Sequence, residues 1–244
     1  MTIRSERGIV IPAFNTDSVN YTSLAYRLAA SIHQFDFNLD VAVLTNEDLP
    51  EDAPGGFAND YLVYHLSPFR QTIKLEADMI VCGSIQHWFD QMQHRDICIS
   101  TGCRDIYNQP ATSRFYRKLF DENNLPDVYN AITYWRISQT AKEFFKLVKN
   151  IFLNWAEFKK LLRYPDELPT TDVVYAIAAV IIGPEKCTMP FASYPKIVHM
   201  KKHIIPLIGS DWTKELIDEV SPLRIQTFAQ SGAVHYHNKQ WQQI

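Results

Sequence analysis

The first forty-five residues constrain the fold most, because they read as strand, helix and strand in immediate succession. Gly8 to Ala13 (GIVIPA) is a short apolar run, stopped by Pro12 and then by Asn15, Thr16 and Asp17. That is the signature of a buried strand ending in a turn. From about Ser18 to His33, Leu24, Ala25, Leu28, Ala29 and Ile32 recur at helical spacing. Leu39 to Thr45 (LDVAVLT) is a second strand, Tyr61 to His65 a short third, and Asp96 to Thr101 (DICIST) another. Thr72 to Val81 (TIKLEADMIV) reads as one strand with two carboxylates near its end. This order predicts right-handed βαβ units: an α/β fold with a mostly parallel central sheet flanked by helices. Such sheets bind ligands just beyond the carboxyl ends of their strands.

The middle of the chain is helical and aromatic. Ser113 to Phe120, Thr140 to Arg163 and Thr170 to Ile182 carry no internal proline, and Thr170 or Thr171 can cap the last of them. With 244 residues and 46% hydrophobic composition, the chain can bury a substantial core without disulfides or metals to staple it. No segment has the ~20 apolar residues of a membrane span. Met1 to Gly8 is polar, with no signal-peptide core behind it, so a cytoplasmic location is expected. Cys82, Cys98, Cys103 and Cys187 lack the paired spacing of a zinc site and read as free thiols.

Glu76 and Asp78 are the most informative pair. Carboxylates two apart on a regular strand point the same way. Two hard oxygen donors on one side can hold Mg²⁺ or Mn²⁺, with substrate phosphates completing the shell. The alternative is two solvated side chains on a strand edge. Near the chain end, His235 and His237 lie at i and i+2, beside Lys239 and Trp241, so either imidazole could join the carboxylates.

Arg70 followed by TIKLEADMIV resembles the metal-binding strand of the GT-A nucleotide-sugar glycosyltransferases, which carry an acidic DxD motif after an apolar strand. The closer likeness is to the glycogenin and galactinol synthase type, whose strand often ends in DADM. Other pieces fall in the same order. Thr16-Asp17 with Tyr21, Leu24 and Ser31 resembles that type's first nucleotide-binding turn and helix. Thr45-Asn46 stands where it contacts the base, and Tyr129-Asn130-Ala131 resembles its FNAG segment lining the sugar pocket. Thr171-Asp172 opens a helix where it often has an Asp-Gln pair, and Val234-His235-Tyr236 with Lys239 and Trp241 resembles its C-terminal signature. The sequence departs from the pattern at four places. Glu76 replaces the first Asp, Lys239 follows His235 by four residues rather than about six, Gln240 replaces a proline, and no Gly follows Ala131.

The resemblance implies a single GT-A domain over residues 1–244. Residues 1–110 would be the nucleotide-binding half and 111–244 the acceptor-facing half. It implies metal-dependent transfer from a UDP-sugar, with Asp78, His235 and Glu76 around Mn²⁺ or Mg²⁺. His235 is favoured over His237 by the aromatic that follows it, and neutral imidazole suits Mn²⁺ better than Mg²⁺. Thr16, Tyr21, Thr45, Arg70, Lys239 and Trp241 would contact the donor. Asp172 would be the base if the enzyme inverts the anomeric centre, and Asn130 would lie near the anomeric carbon if it retains. Asp172 could equally be a helix-start carboxylate favoured by the dipole.

The acceptor is read from charge. Residues 142–163 hold six Lys/Arg (142, 146, 149, 159, 160, 163) against Glu143 and Glu157, on a chain of net charge -3. Arg114, Arg117 and Lys118 add a second patch, and Lys196, Lys201 and Lys202 a third. Either these are solvated helix faces or they dock a polyanion. The first forty residues resemble phage proteins that glycosylate DNA, which favours a hydroxymethylated base in DNA and, for a phage protein, the host cytoplasm. Tyr107, Phe115, Trp135 or Tyr164 would then stack on the extruded base. A lipid-linked or protein glycan is the alternative acceptor, with Phe144 to Leu162 as an interfacial helix. A non-catalytic nucleotide-sugar binding module and a metal-dependent phosphohydrolase are the readings of other classes.

Overall fold

The computed structural model describes residues 3–102, 114–188, 197–200, 224–225, 228–229 and 232–236. His237, Lys239, Gln240 and Trp241, together with Tyr107, Cys103, Lys196, Lys201 and Lys202, lie outside the described residues, as do the side chains of Arg114 and Phe115. In chain order the elements are β1 (Ser5–Pro12), α1 (Tyr21–Phe35), β2 (Asp40–Leu44), α2 (Val63–Leu66), β3 (Phe69–Leu75), β4 (Met79–Val81), α3 (His87–Met92), β5 (Ile97–Thr101), α4 (Arg114–Glu122), β6 (Val128–Arg136), α5 (Gln139–Leu153), α6 (Trp155–Leu162), α7 (Thr171–Ile182), α8 (Pro184–Cys187), β7 (Ile197–Met200), β8 (Arg224–Ile225), β9 (Phe228–Ala229) and β10 (Ala233–Tyr236).

Five strands form the central sheet in the order β2-β1-β3-β6-β5. β1 runs parallel to β2 and β3, whereas β6 runs antiparallel to both β3 and β5. The α/β expectation is met, and the sheet is mixed because β6 alone runs against the other four strands. The reason is where the chain re-enters. β5 ends at Thr101, which pairs with Val128 at the start of β6, so both lie at one edge and β6 must run back. Helices cover both faces. Ile9, Ile11, Ile73 and Leu75 pack with Leu24, Leu28 and Ile32 of α1 and Trp88 and Phe89 of α3. Val10, Ile97, Ile99 and Trp135 pack with Phe144, Phe145 and Val148 of α5 and Val174 and Tyr175 of α7.

Three local readings change. Tyr61 to His65 is not a strand; a 3-10 segment, Gly56–Leu62, runs into α2 there. The long helix read over 140–163 breaks at Asn154 into α5 and α6. The strand expected over 72–81 is two strands in two sheets. β3 stays in the central sheet to Leu75, the amide of Glu76 still donates to the Ala131 carbonyl at 3.2 Å, and the chain then leaves. β4 joins a second sheet of order β4-β10-β7, antiparallel to β10.

The turn between the two sheets is pinned from below by α1. Asn20 caps that helix by accepting from the Ser23 amide at 3.0 Å. Ser31 accepts from the Val81 amide at 3.1 Å. Asp36, just past the helix, accepts from Ser84 Oγ at 2.5 Å and from the Ile85 amide at 2.7 Å. Ser31 is therefore a strap for β4. Its position in the first helix gave it a nucleotide-site resemblance, and its hydroxyl is engaged in holding the strand.

Candidate active site

Because the turn at residues 76–78 changes sheets, its two carboxylates converge on β10. His235 sits opposite Met79 in the antiparallel β4–β10 pair. Its Nε2 lies 3.1 Å from Asp78 Oδ1 and 3.3 Å from Glu76 Oε2. The three side chains offer ligand atoms within 4.8 Å of one another, and they are the one such group among the described residues. Asp78 and His235 are buried, while the Glu76 side chain keeps 29% of its surface open. Glu76 follows the last residue of β3, which puts the cluster at the carboxyl end of that strand, where ligands of α/β folds sit. Two carboxylates and an imidazole suit a divalent ion such as Mn²⁺ or Mg²⁺, and the mutual repulsion of the carboxylates gives a cation a reason to bind.

Glu76 shows that repulsion. Burial is the main cause that raises its pKa from 4.5 to about 7; Asp78 raises it further and His235 opposes the rise. The folded protein therefore holds this proton more tightly than the unfolded chain does. The resulting stabilisation is complete below about pH 4.5 and is lost as pH rises through about 7. In EDTA, Glu76→Gln should melt progressively higher relative to the wild type as pH rises from 4.5 to 8. A constant difference in melting temperature across that range would contradict the burial of this carboxyl.

Beside the cluster runs a chain of buried polar groups from β3, β6 and α7. The Lys74 ammonium, 1% exposed, bonds both oxygens of Asp60 at 3.0 and 3.2 Å and stands 5.2 Å from the centre of the Tyr175 ring. Tyr175 also donates to Asp60, and burial with the Asp60 charge pushes its phenol well above the ordinary value, keeping it a donor. Asn130 is fully buried. Its amide nitrogen Nδ2 donates to Asp60 at 3.4 Å, and its Oδ1 accepts from Thr133 at 2.9 Å. The backbone N–H of Asn130 donates to Asp172 Oδ1 at 2.8 Å, while Arg117 lies 3.3 Å from Asp172 Oδ2. Thr170 caps α7 and so fixes Asp172 in its first turn.

The expected site residues thus divide. Glu76, Asp78 and His235 come together, and Asn130 and Asp172 meet beside them at the start of β6 and α7. Thr16 and Thr45 lie at the ends of β1 and β2, where Asn15 N donates to Asn46 Oδ1 at 2.7 Å and ties the two turns. Thr45 caps the 3-10 segment Asn46–Asp48, and Tyr21 opens α1. Arg70 is not brought in. It stands at the opposite end of β3, roughly 20 Å from Glu76 at ~3.3 Å per residue, and faces Glu6 at 3.7 Å.

Two readings of the basic and aromatic residues are corrected by burial. Arg117 is fully buried, against Asp127, Asp172 and the Phe120 ring, so it belongs to no surface patch. Trp135 is 1% exposed and cannot stack on a base, and Phe144, Phe145 and Trp155 are packed inside rather than presented to a membrane. Tyr164 packs edge-on against Trp155.

Sequence reasoning missed the parts played by Asp60, Arg117 and Tyr175. Lys74 did carry a signal, a lone cation inside an apolar strand, but its partner Asp60 is 14 residues away with nothing to mark it.

No family model matches the sequence, and no curated protein matches it either. Solved structures do. The chain superposes on an active-site mutant of the galactosyltransferase LgtC at TM-score 0.53 and 12% identity, over 95% of this chain and 87% of that one. It superposes on mouse xyloside xylosyltransferase 1 at TM-score 0.53 and 8% identity, over 96% and 98%. A glycosyltransferase involved in glycosylation of the major capsid of PBCV-1 gives TM-score 0.52 and 12% identity, over 96% and 97%. At these identities the likeness is one of fold, and the fold is that of the GT-A glycosyltransferases.

Proposed function

We propose that the protein is a metal-dependent glycosyltransferase that moves a sugar from a UDP-sugar to an acceptor hydroxyl, of the glycogenin and galactinol synthase type. The observation that carries this reading is the convergence of Glu76 and Asp78 with His235, which lies 157 positions beyond Asp78, at the carboxyl edge of the sheet. Asp78, Glu76 and His235 would hold the divalent ion. That ion would supply Lewis-acid stabilisation for the departing nucleoside diphosphate. The tied turns at Asn15-Thr16 and Thr45-Asn46 would receive the nucleoside. Asp172 would stand on the sugar side; Asn130, fully buried with its side-chain amide spent on Asp60 and Thr133, would hold Asp172 through its backbone N–H and not reach the anomeric carbon itself. Asp172 has its two oxygens engaged by the Asn130 amide and Arg117, so it is held rigidly for a sugar or acceptor hydroxyl.

For the acceptor we favour a hydroxymethylated base in phage-type DNA. Exposed Lys142, Lys146 and Lys149 on α5 support it, with Lys160 and Arg163 beyond; Lys159 is drawn instead to Glu167. The test is a melting-temperature panel of nucleoside diphosphates with Mn²⁺, Mg²⁺ or EDTA. A ligand at a hundred times its Kd adds ~2.7 kcal/mol, or about 5–10 °C for a chain of this size. One nucleotide should produce this shift, and only with metal. No shift with any nucleotide removes the donor site. In the acceptor arm, salt-sensitive binding to duplex DNA is expected. Binding to anionic liposomes alone would move the acceptor to a lipid-linked glycan, and indifference to both would move it to a protein or small glycan.

A further inference from the structure

The metal cluster draws one of its members, His235, from the second sheet, and something must fix that ring across the gap. The nearest anchor is on β6. The Tyr129 hydroxyl lies 2.5 Å from His235 Nδ1, and both side chains are buried. The two rings stand 5.7 Å apart, tilted by 51°. On the other side of the imidazole, Nε2 faces Asp78 and Glu76. Tyr129 is itself held. The Arg117 guanidinium stands 5.7 Å from the centre of its ring, and its backbone carbonyl accepts from Ser100 Oγ.

We infer that Tyr129 is a positioning residue, whose hydroxyl locks the His235 ring with Nε2 turned toward the carboxylates. This rests on the metal-centre reading above. A histidine rotated about its Cβ–Cγ bond would present carbon in place of nitrogen to the cluster, so the flip must be prevented for the ligand set to exist. A hydroxyl suits the task because it can both donate and accept. It serves Nδ1 when that atom is bare and Nε2 carries the hydrogen. It serves equally when Nδ1 carries the hydrogen and the Nε2 lone pair is free for an ion. Partners of this kind on the far nitrogen of a metal-binding histidine fix its orientation. Tyr129 also ties the two sheets together at the point where the site straddles them. Phenylalanine would keep the ring and its packing against Arg117 and lose this link.

The test compares the wild type with Tyr129→Phe and Asp78→Asn. Mn²⁺ affinity is read from the free-ion EPR signal, and the His235 ring nitrogens from ¹⁵N-histidine NMR in EDTA. The expected result for Tyr129→Phe is a Mn²⁺ Kd weakened about 10- to 100-fold, with an unchanged fold by circular dichroism. The His235 Nδ1 resonance should shift as its hydrogen bond to the Tyr129 hydroxyl is lost. If the wild type binds Mn²⁺ through Asp78 and Tyr129→Phe binds it equally well, the inference falls while the metal centre stands. If Asp78→Asn binds as tightly as the wild type, the metal centre falls first. The wild-type spectrum decides independently of any variant's folding: a His235 Nδ1 that makes no hydrogen bond to the Tyr129 hydroxyl in the metal-free protein overturns the lock.

Discussion

Asp78→Asn should abolish metal-dependent nucleotide binding and leave the metal-free protein at least as stable as the wild type. The two effects separate because of where the charge sits. Asp78 is 6% exposed and lies within reach of a second carboxylate, Glu76, whose pKa it helps to raise. Removing one negative charge eases that repulsion, and His235 keeps Glu76 as a partner at 3.3 Å. For a divalent ion the change is the reverse, since it loses the buried anionic ligand. A loss of transfer activity of about a thousandfold, or about 4 kcal/mol of transition-state stabilisation, is expected. Melting curves in EDTA and in Mn²⁺ with nucleotide read the two effects side by side. A variant that keeps the metal-dependent nucleotide shift would take Asp78 out of the site.

Lys74→Met should be the most destabilising single change on the sheet side of the site. Methionine keeps the apolar stem and removes the ammonium, leaving Asp60 buried with only neutral donors from Tyr175 and Asn130. Breaking a buried pair from one side costs about 3–5 kcal/mol, because the remaining charge is uncompensated. At ~2–4 °C per kcal/mol for a chain this long, melting should fall by about 10 °C. Lys74→Met combined with Asp60→Asn should recover much of that loss, since no charge is then stranded. If the single substitution costs less than about 1 kcal/mol, the pair behaves as a solvent-screened one. The network beside the metal cluster would then not be what holds Asn130 in place.

Much of the first half of the fold is legible in the chain. GIVIPA, the periodic Leu24 to Ile32 face and LDVAVLT each become the expected element, because burial in a layered α/β fold rewards those patterns locally. Thr170 capping α7 is likewise a local event. β6 is not legible. Its sequence, VYNAITYWR, is rich in β-branched and aromatic residues, but it lies between β3 and β5 buried on both faces, so it lacks the alternation that marks a strand. The same holds for 72–81, where the apolar run continues through Glu76 and Asp78 and nothing local announces that the chain changes sheets.

What the sequence determines by itself is chemical type and order: an α/β chain, an acidic pair after a buried strand, and a histidine near its end. Only the tertiary structure decides which of these meet. Glu76 and Asp78 converge on His235 because β4 crosses into the sheet of β10, while Arg70, six residues before Glu76, is carried to the far end of an extended strand. Arg117 reads as a surface cation and Lys74 goes unremarked within its strand, and packing makes them the buried counter-charges of Asp172 and Asp60. Spacing along a chain encodes local geometry. The neutralisation of a buried charge depends on partners that folding brings from far away, and those no local pattern records.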